Sequence, residues 1–459
     1  MQEISISSEP PSTIAAVAQI NRLPPEMLAA IFVHLSRQQP NSAGRKASYF
    51  VQDLISVTHV CRSWRQAAIT APELWTEVTM TDLEAVKVFL ERSRSVPLNV
   101  KLGPGSRMEI GDDLFEAVVP HTHRFQQLSV LVPTPRLWLQ NQFGNLTSLH
   151  ITPAVPDFLP FFDMLRRCPL LEEMFLFLDR WGRRIEPHES PTVPLRHLRK
   201  LFLRSFTVGG IKYLLHIFDL RTNGIAIHLS GVYPGPYEGR TISRIQAMFP
   251  EDDSCQPSLT LSTKLELIFH TRPRTFIMHA VGPGFAMRID LCPDYFDLRK
   301  EMSFTFHNVF PSVEELWVRG SFRVDTKLYG IEHLTALEKL VLIGRGSKVA
   351  RNFRQALSPD SSGALPCPLL SAIDCHGNAS EMREIFLLLR TRSIGHRLEK
   401  VRVPSSFIPL PADIASCVRD VGSLDIPSRT LHMYAMELPE FCFAKKGHKW
   451  WEPWKSRLN

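Results

Sequence analysis

The sequence predicts an α/β chain in two parts: a short helical module over residues 21–76, then a long array of strand–helix units over residues 80–440. Three observations carry the prediction. Two helical apolar stripes lie close together near the N-terminus and are bounded by prolines. A frame of the form apolar-x-x-apolar-x-apolar recurs along the remainder. Pro, at 35 residues, outnumbers Gly, at 23, which divides the chain into many brief elements. With 459 residues, 44 % hydrophobic and 22 % charged, there is material for a large core.

Residues 1–20, rich in Ser, Pro and Ala, read as a flexible lead with a helical turn over Thr13–Ile20. At Asn21-Arg22-Leu23-Pro24-Pro25-Glu26 the prolines suit a first helical turn and Glu26 complements its dipole. Leu28, Ile31, Phe32 and Leu35 then follow at i, i+3, i+4 and i+7, the apolar stripe of one helix. Ser36–Ser48 is a polar loop. A second helix is expected from Leu54 to Ile69, with Leu54, Val57, Cys61, Trp64 and Ala68 on one face, before Pro72; Leu74 and Trp75 close the module. So small a module with so many large apolar groups buries little surface alone and implies a partner.

The run Leu23-Pro24-Pro25-Glu26-Met27-Leu28, then Ile31-Phe32, Leu35, Val60-Cys61-Arg62-Ser63-Trp64-Arg65, Ala68 and Pro72-Glu73-Leu74-Trp75, resembles the F-box, in the form abundant in mushroom-forming fungi. The spacer Ser36–Tyr49 is longer than in the shortest F-boxes. The resemblance implies docking onto the Skp adaptor of a cullin-RING ubiquitin ligase. It assigns adaptor contacts to Leu23, Pro24, Leu28, Ile31, Leu35, Val60 and Trp64. Cys61, between the two halves, reads as a packing residue although Arg62 and Arg65 stand beside it.

In the body, the frame reads Phe125, Leu128, Val130; Leu146, Leu149, Ile151; Leu171, Met174, Leu176; and Leu198, Leu201, Leu203. It resumes at Val313, Leu316, Val318; Leu337, Leu340, Leu342; Leu370, Ile373, Cys375; Leu398, Val401, Val403; and Val421, Leu424, Ile426. Weaker strands at Ile225–Leu229, Leu265–Leu267 and Met287–Leu291 fill the gap, and amphipathic helices are expected at Phe158–Arg167, Ile211–Leu220, Ile242–Phe249 and Met382–Arg392. A doubly wound sheet would alternate similarly, but the short period favours a horseshoe. The body resembles an irregular leucine-rich-repeat solenoid, though the asparagine of the strict consensus is mostly absent. Strand alternation sends Phe175, Phe177, Phe202, Arg204, Trp317 and Arg319 to the concave side. Aromatic residues with Arg among them make a protein-binding hot spot, and this cluster is the expected target-binding surface.

The charge of +7 resides in two segments, residues 21–76 and 444–459, and the rest of the chain is balanced. A polyanion-binding body is thereby disfavoured, and the basic N-terminal segment suits an acidic partner. No G-x-S-x-G, H-E-x-x-H or phosphate-loop pattern occurs, so no catalytic residue, metal ligand or cofactor is expected and the protein is read as a non-enzyme. Gly344-Arg345-Gly346-Ser347-Lys348 reads as a basic turn, Gly282-Pro283-Gly284 as a turn, and His121-Thr122-His123 as a surface loop. The tail, residues 441–459, interleaves lysines with Trp450, Trp451 and Trp454 and reads as a cap on the last repeat. A nucleic-acid or membrane tether is its less favoured reading. The scattered cysteines and a start without a basic stretch point to a cytoplasmic or nuclear protein. The function expected is the substrate-recognition subunit of a Skp–cullin–F-box ligase, with a non-degradative F-box scaffold as the alternative.

Overall fold

The computed structural model describes residues 23–38, 48–80, 82–102, 112–130, 141–152, 158–177, 192–220, 224–232, 244–249, 261–271, 274–291, 309–321, 331–345, 347–359, 362–393, 396–426, 435–443, 451 and 454. It divides the chain into two units, residues 1–132 with 141–146, and residues 133–140 with 147–459. The predicted lead over residues 1–20 and its helical turn lie outside the described residues.

In the first unit, Pro25 opens helix α1 (Pro25–Gln38), where a missing N–H costs nothing, and Pro24 O accepts from the N–H groups of Met27 and Leu28. The single helix expected over Leu54–Ile69 is two, α2 (Ser48–Val60) and α3 (Arg62–Thr70). They break at Cys61, whose backbone is extended (φ −158°, ψ 173°) and whose Sγ accepts from the N–H of Trp64 at 3.5 Å, capping α3. β-branched Val57, Thr58 and Val60 weaken the helix just before that break. A 3-10 turn over Pro72–Trp75 follows. Leu28, Phe32, Leu54, Ala67, Ala68, Leu74 and Trp75 are buried, the Phe32 and Trp64 rings lie 5.1 Å apart, and Trp75 Nε1 donates to Ala68 O at 2.8 Å.

The chain continues through β1 (Glu77–Met80), α4 (Leu83–Arg92), β2 (Leu98–Leu102), α5 (Asp112–Val118) and β3 (Phe125–Val130), with β1, β2 and β3 pairing in parallel. Asp82 caps α4 by accepting from Ala85 N at 2.9 Å. Trp75 meets the Phe89 ring edge-on at 5.1 Å and lies under Arg92 at 4.4 Å, so the helical module is completed by α4. The expected boundary at residue 76 falls inside this unit. Strands β1 and β2 have no counterpart in the sequence frame, which starts at Phe125.

The second unit is built on a mostly parallel sheet. Its strands are β4 (Ser148–Ile151), β5 (Glu173–Phe177), β7 (Lys200–Arg204), β9 (Ile225–Val232), β10 (Lys264–Thr271), β11 (Arg274–Gly282), β12 (Phe285–Leu291), β13 (Glu315–Ser321), β14 (Lys339–Arg345), β15 (Ala372–His376), β16 (Leu398–Val403) and β17 (Val418–Ser423). Two short strands, β6 (Val193–Pro194) and β8 (Phe218–Asp219), pair separately. Between strands run α6 (Phe158–Arg166), α7 (Val208–Ile217), α8 (Arg244–Ala247), α9 (Ser347–Leu357), α10 (Ala379–Ser393) and α11 (Ala412–Ala415).

Spatial order follows chain order except in the middle, where the sequence is β9-β12-β11-β10-β13. There β10, β11 and β12 form an antiparallel meander laid in backwards, and its outer strands rejoin the parallel array at β13 and β9. Gly282-Pro283-Gly284 is the hairpin turn between β11 and β12, with Gly284 at φ +72°. The final frame also shifts: β17 begins at Val418, whereas Leu424 and Ile426 follow the strand and pack with the C-terminal segment.

Gly344, the first residue of the expected basic turn, stands at φ +154° inside β14. A Cβ there would lie 2.0 Å from Gly320 O, and one on Gly320 (φ +115°) 2.1 Å from Phe269 O. These glycines permit close stacking of successive backbones, a sufficient reason for glycine without a phosphate.

Candidate functional site

Helix α1 carries two apolar stripes. Leu28 and Phe32 turn into the core of the first unit, while Met27 and Leu35 remain 52 % and 55 % exposed and Ile31 lies half-buried between them. On α2, Leu54 turns inward, and Ile55 and Val60 stay 49 % and 59 % exposed. Pro24 is exposed, and Leu23 and Trp64 are half-buried. Leu28 is therefore corrected from a direct adaptor contact to a core residue: only 1 % of it is exposed, so it supports α1 from within. Met27 and Ile55, which the sequence reading did not choose, join Leu35 and Val60 as large apolar groups facing water. The signal was available, since Met27 stands one helical turn from Ile31 and two from Leu35. Arg62 and Arg65 are also exposed, and Arg65 Nε holds the C-terminal turn of α2 by donating to Thr58 O at 2.8 Å. Arg22, Arg45 and Lys46, and the side chain of Arg37, lie outside the described residues.

A family model described as F-box-like matches residues 20–81, the stretch that holds these helices. Residues 20–81 are an F-box-like domain. No curated protein matches the chain. The F-box-like match spans α1 to β1.

Along the second unit's sheet, strand register sorts the side chains into two sets. On one face Leu149, Met174, Leu201, Ile227, Met287, Ala280, Leu265, Leu316, Leu340, Ile373 and Val401 sit side by side, all buried. On the other face the central row runs His150, Phe175, Phe202, His228, Arg288, His279, Glu266, Trp317, Val341, Asp374 and Arg402. Phe177, Arg204 and Arg319 flank that row on the same side.

The expected target-binding residues share this face, but the face is closed, so their predicted openness is corrected. Phe175, Phe202 and Trp317 are buried with Met436, Cys442, Trp451 and Trp454, and Phe177, Leu438 and Phe441 pack at the edge. Arg319 is buried in an ion pair, its Nη1 2.7 Å from Glu266 Oε1. Only Arg204 is exposed, its guanidinium 5.8 Å from the Phe177 ring centre. Strand phase could not reveal this, because the cover comes from the far end of the chain. Trp451 and Trp454 sit over the middle of the sheet, at β5, β9 and β11, and are not a cap on the last strand. Trp450 lies outside the described residues.

Beneath the tryptophans are two buried ion networks. Glu266 accepts from His279 Nδ1 at 2.8 Å and from Arg319; Asp290 faces His228 Nε2 at 2.8 Å and accepts from Arg288 Nε at 2.8 Å. Burial alone would raise the Glu266 carboxyl, but His279 and Arg319 outweigh it and hold it below the usual range. Burial likewise opposes ionisation of Asp290, and His228 with Arg288 overcomes it. His228 is lowered chiefly by burial, against the pull of Asp290, and His150 is lowered by burial to about 4. At the rim, Lys200 pairs with Glu173 at 2.9 Å, and Lys264 and Lys339 share Glu315.

Among the described residues no group of three His, Cys, Asp or Glu side chains is arranged to hold a metal. His121 and His123 lie on a 3-10 turn over Val119–Arg124, where His121 Nδ1 is 3.3 Å from the Arg124 guanidinium. Burial lowers His121, and Arg124 adds to the effect. Burial pushes the thiols of Cys168, Cys367 and Cys442 up to about 12, which leaves them poor nucleophiles.

Proposed function

We propose that this protein is the substrate-recognition subunit of a Skp–cullin–F-box ubiquitin ligase. The F-box-like domain docks on the Skp adaptor, and the second unit, read as an irregular leucine-rich-repeat-like solenoid, holds a target protein. The observation that carries the reading is the F-box-like match over residues 20–81 on helices that leave Met27, Leu35, Ile55 and Val60 exposed. Large apolar side chains left in water on so small a helical module are a docking surface. Pro24, Leu23, Ile31 and Trp64 frame it, and Leu28 supports it from within. The protein performs no bond chemistry in this reading. It raises the effective concentration of target lysines at the ligase, in the cytoplasm or nucleus.

Co-purification with a Skp adaptor tests the reading, comparing wild type with Met27→Glu/Leu35→Glu. Both side chains are exposed, so the variant keeps its circular dichroism and melting temperature while adaptor capture is lost. A folded wild-type chain that fails to capture the adaptor overturns the assignment. A captured partner whose level is unchanged when the ligase is blocked assigns the non-degradative scaffold role.

A further inference from the structure

The closed face of the second unit differs from the aliphatic one: it holds Glu266, His279 and Arg319 buried against one another, with His228, Arg288 and Asp290 beside them. Aromatic rings mixed with Arg and His are the make-up of a protein-binding centre, whereas the opposite face is aliphatic as an interior is. Two tryptophans three residues apart fill it. Trp454 lies flat on His279, with centroids 5.8 Å apart and planes 10° apart. Trp451 meets Phe175 at 6.3 Å and His228 at 6.2 Å edge-on, with Lys200 above its ring at 5.9 Å. The two indoles stack on each other at 5.5 Å.

The polar atoms show how this segment is held. Trp451 Nε1 donates to Cys442 O at 2.7 Å, a bond inside the C-terminal segment. Among the described residues neither Trp454 Nε1 nor His279 Nε2 has a hydrogen-bond partner, although both are buried. The indoles thus engage the sheet through ring contacts, stacked at His279 and edge-on at Phe175 and His228. The hydrogen-bonding capacity of the face is left partly unused.

We propose that this face is a binding surface for a peptide segment that presents two large aromatic side chains three residues apart, and that Trp451 and Trp454 occupy it as the resident internal ligand. The proposal rests on reading the second unit as the target-binding part, and it specifies the target: a segment with an aromatic-x-x-aromatic pair displaces the chain's own. The pair stacks on His279 and lies between Phe175 and His228, where the tryptophans lie now.

The test uses the full chain with Trp451→Ala/Trp454→Ala and a fluorescently labelled peptide of residues 444–459. The variant should bind the peptide saturably and at least tenfold more tightly than wild type, whose face is already filled. The same peptide with both tryptophans replaced by alanine should not bind. An unlabelled Trp-x-x-Trp peptide in a Ser/Gly background should compete; competition by the tail sequence alone overturns the stated target class. A folded variant that does not bind the peptide overturns the proposal. Should the variant not fold, the wild-type chain carrying a protease site between residues 444 and 448 is folded and then cut. Release of the cut segment by excess peptide, with the remainder still folded, supports the proposal; retention, or unfolding on release, makes the segment a fixed part of the core and overturns it. Adaptor capture is measured in parallel, so that its loss alone counts against the ligase reading and loss of peptide binding alone counts against this one.

Discussion

The two faces of the second unit's sheet differ in kind, although the same strands build both. One presents Leu, Ile, Met and Val in register from β4 to β16, and its stability is apolar burial, tolerant of swaps that conserve side-chain volume. The other sets His, Glu, Asp and Arg among Phe and Trp, and there each buried charge depends on a particular partner. The difference teaches that period-two alternation assigns a residue to a side without saying whether that side meets solvent. Phe175 and Met174 are adjacent, opposite in direction and equally buried.

The strongest challenge to that contrast is at Glu266. Replacing it with Ala leaves Arg319 and His279 buried without their anion and should cost about 3–5 kcal/mol, seen as a lower denaturation midpoint; a loss below about 1 kcal/mol would show that the network is solvated. Leu201→Ala on the aliphatic face should cost about 2–4 kcal/mol, and Leu201→Met at the same place under about 1.5 kcal/mol. Equal damage from the two would mean that the aliphatic face is as exacting as the ionic one.

Acid sharpens the comparison further. His150 and His228 bind protons less readily folded than unfolded, so the unfolded chain gains protons first as pH falls below about 6.5 and stability declines there. For His150 that decline runs down to about pH 4. Glu266 and Asp290 also have lowered folded values, so their contribution is full above the unfolded carboxylate range near pH 4 and is lost as pH drops through it. Melting temperature against pH should fall in two stages; His150→Gln should blunt the upper one and leave the lower. A midpoint unchanged from pH 7 to 3 would contradict the ionic account of the face. The smallest effect belongs to Lys400 and Asp420, 3.9 Å apart and both more than half exposed: Lys400→Ala should change stability by no more than about 0.5 kcal/mol in chemical denaturation.

What the sequence reveals of this molecule is what is local. The F-box-like domain is legible because Leu-Pro, the α1 stripe and the Cys-Arg-x-Trp-Arg run occupy fixed positions along one short segment. The phase of β5, β7, β13 and β14 is legible because Leu-x-Leu places alternate residues on one side. The break at Cys61 is not, since a thiol capping its own helix leaves the apolar spacing of Leu54, Val57, Cys61 and Trp64 intact. Strand β11 is hidden because Phe276, Ile277, Met278, Ala280 and Val281 form a nearly unbroken apolar run, in which the alternation that marks a half-exposed strand disappears. The cover over Phe175, Phe202 and Trp317 arises from residues more than a hundred positions away, and the partners Lys264 and Lys339 of Glu315 and His228 of Asp290 come from neighbouring strands. His228 and Glu266 stand at alternating positions of weak strands with no full frame around them, and His279 lies on the hidden β11.

The reversed meander of β10, β11 and β12 also shapes the order of assembly. Parallel neighbours elsewhere in the sheet meet only after a crossover of a dozen or more residues has closed, whereas Thr271 pairs with Arg274 three positions on, and Gly282 with Phe285 across a two-residue turn. Loop closure is therefore cheapest at the centre of the array, and pairing can spread from there toward β9 on one side and β13 on the other. Folding of the second unit then starts from a seed in the middle of the sheet, and its outermost strands are the last to gain protection and the first to fray.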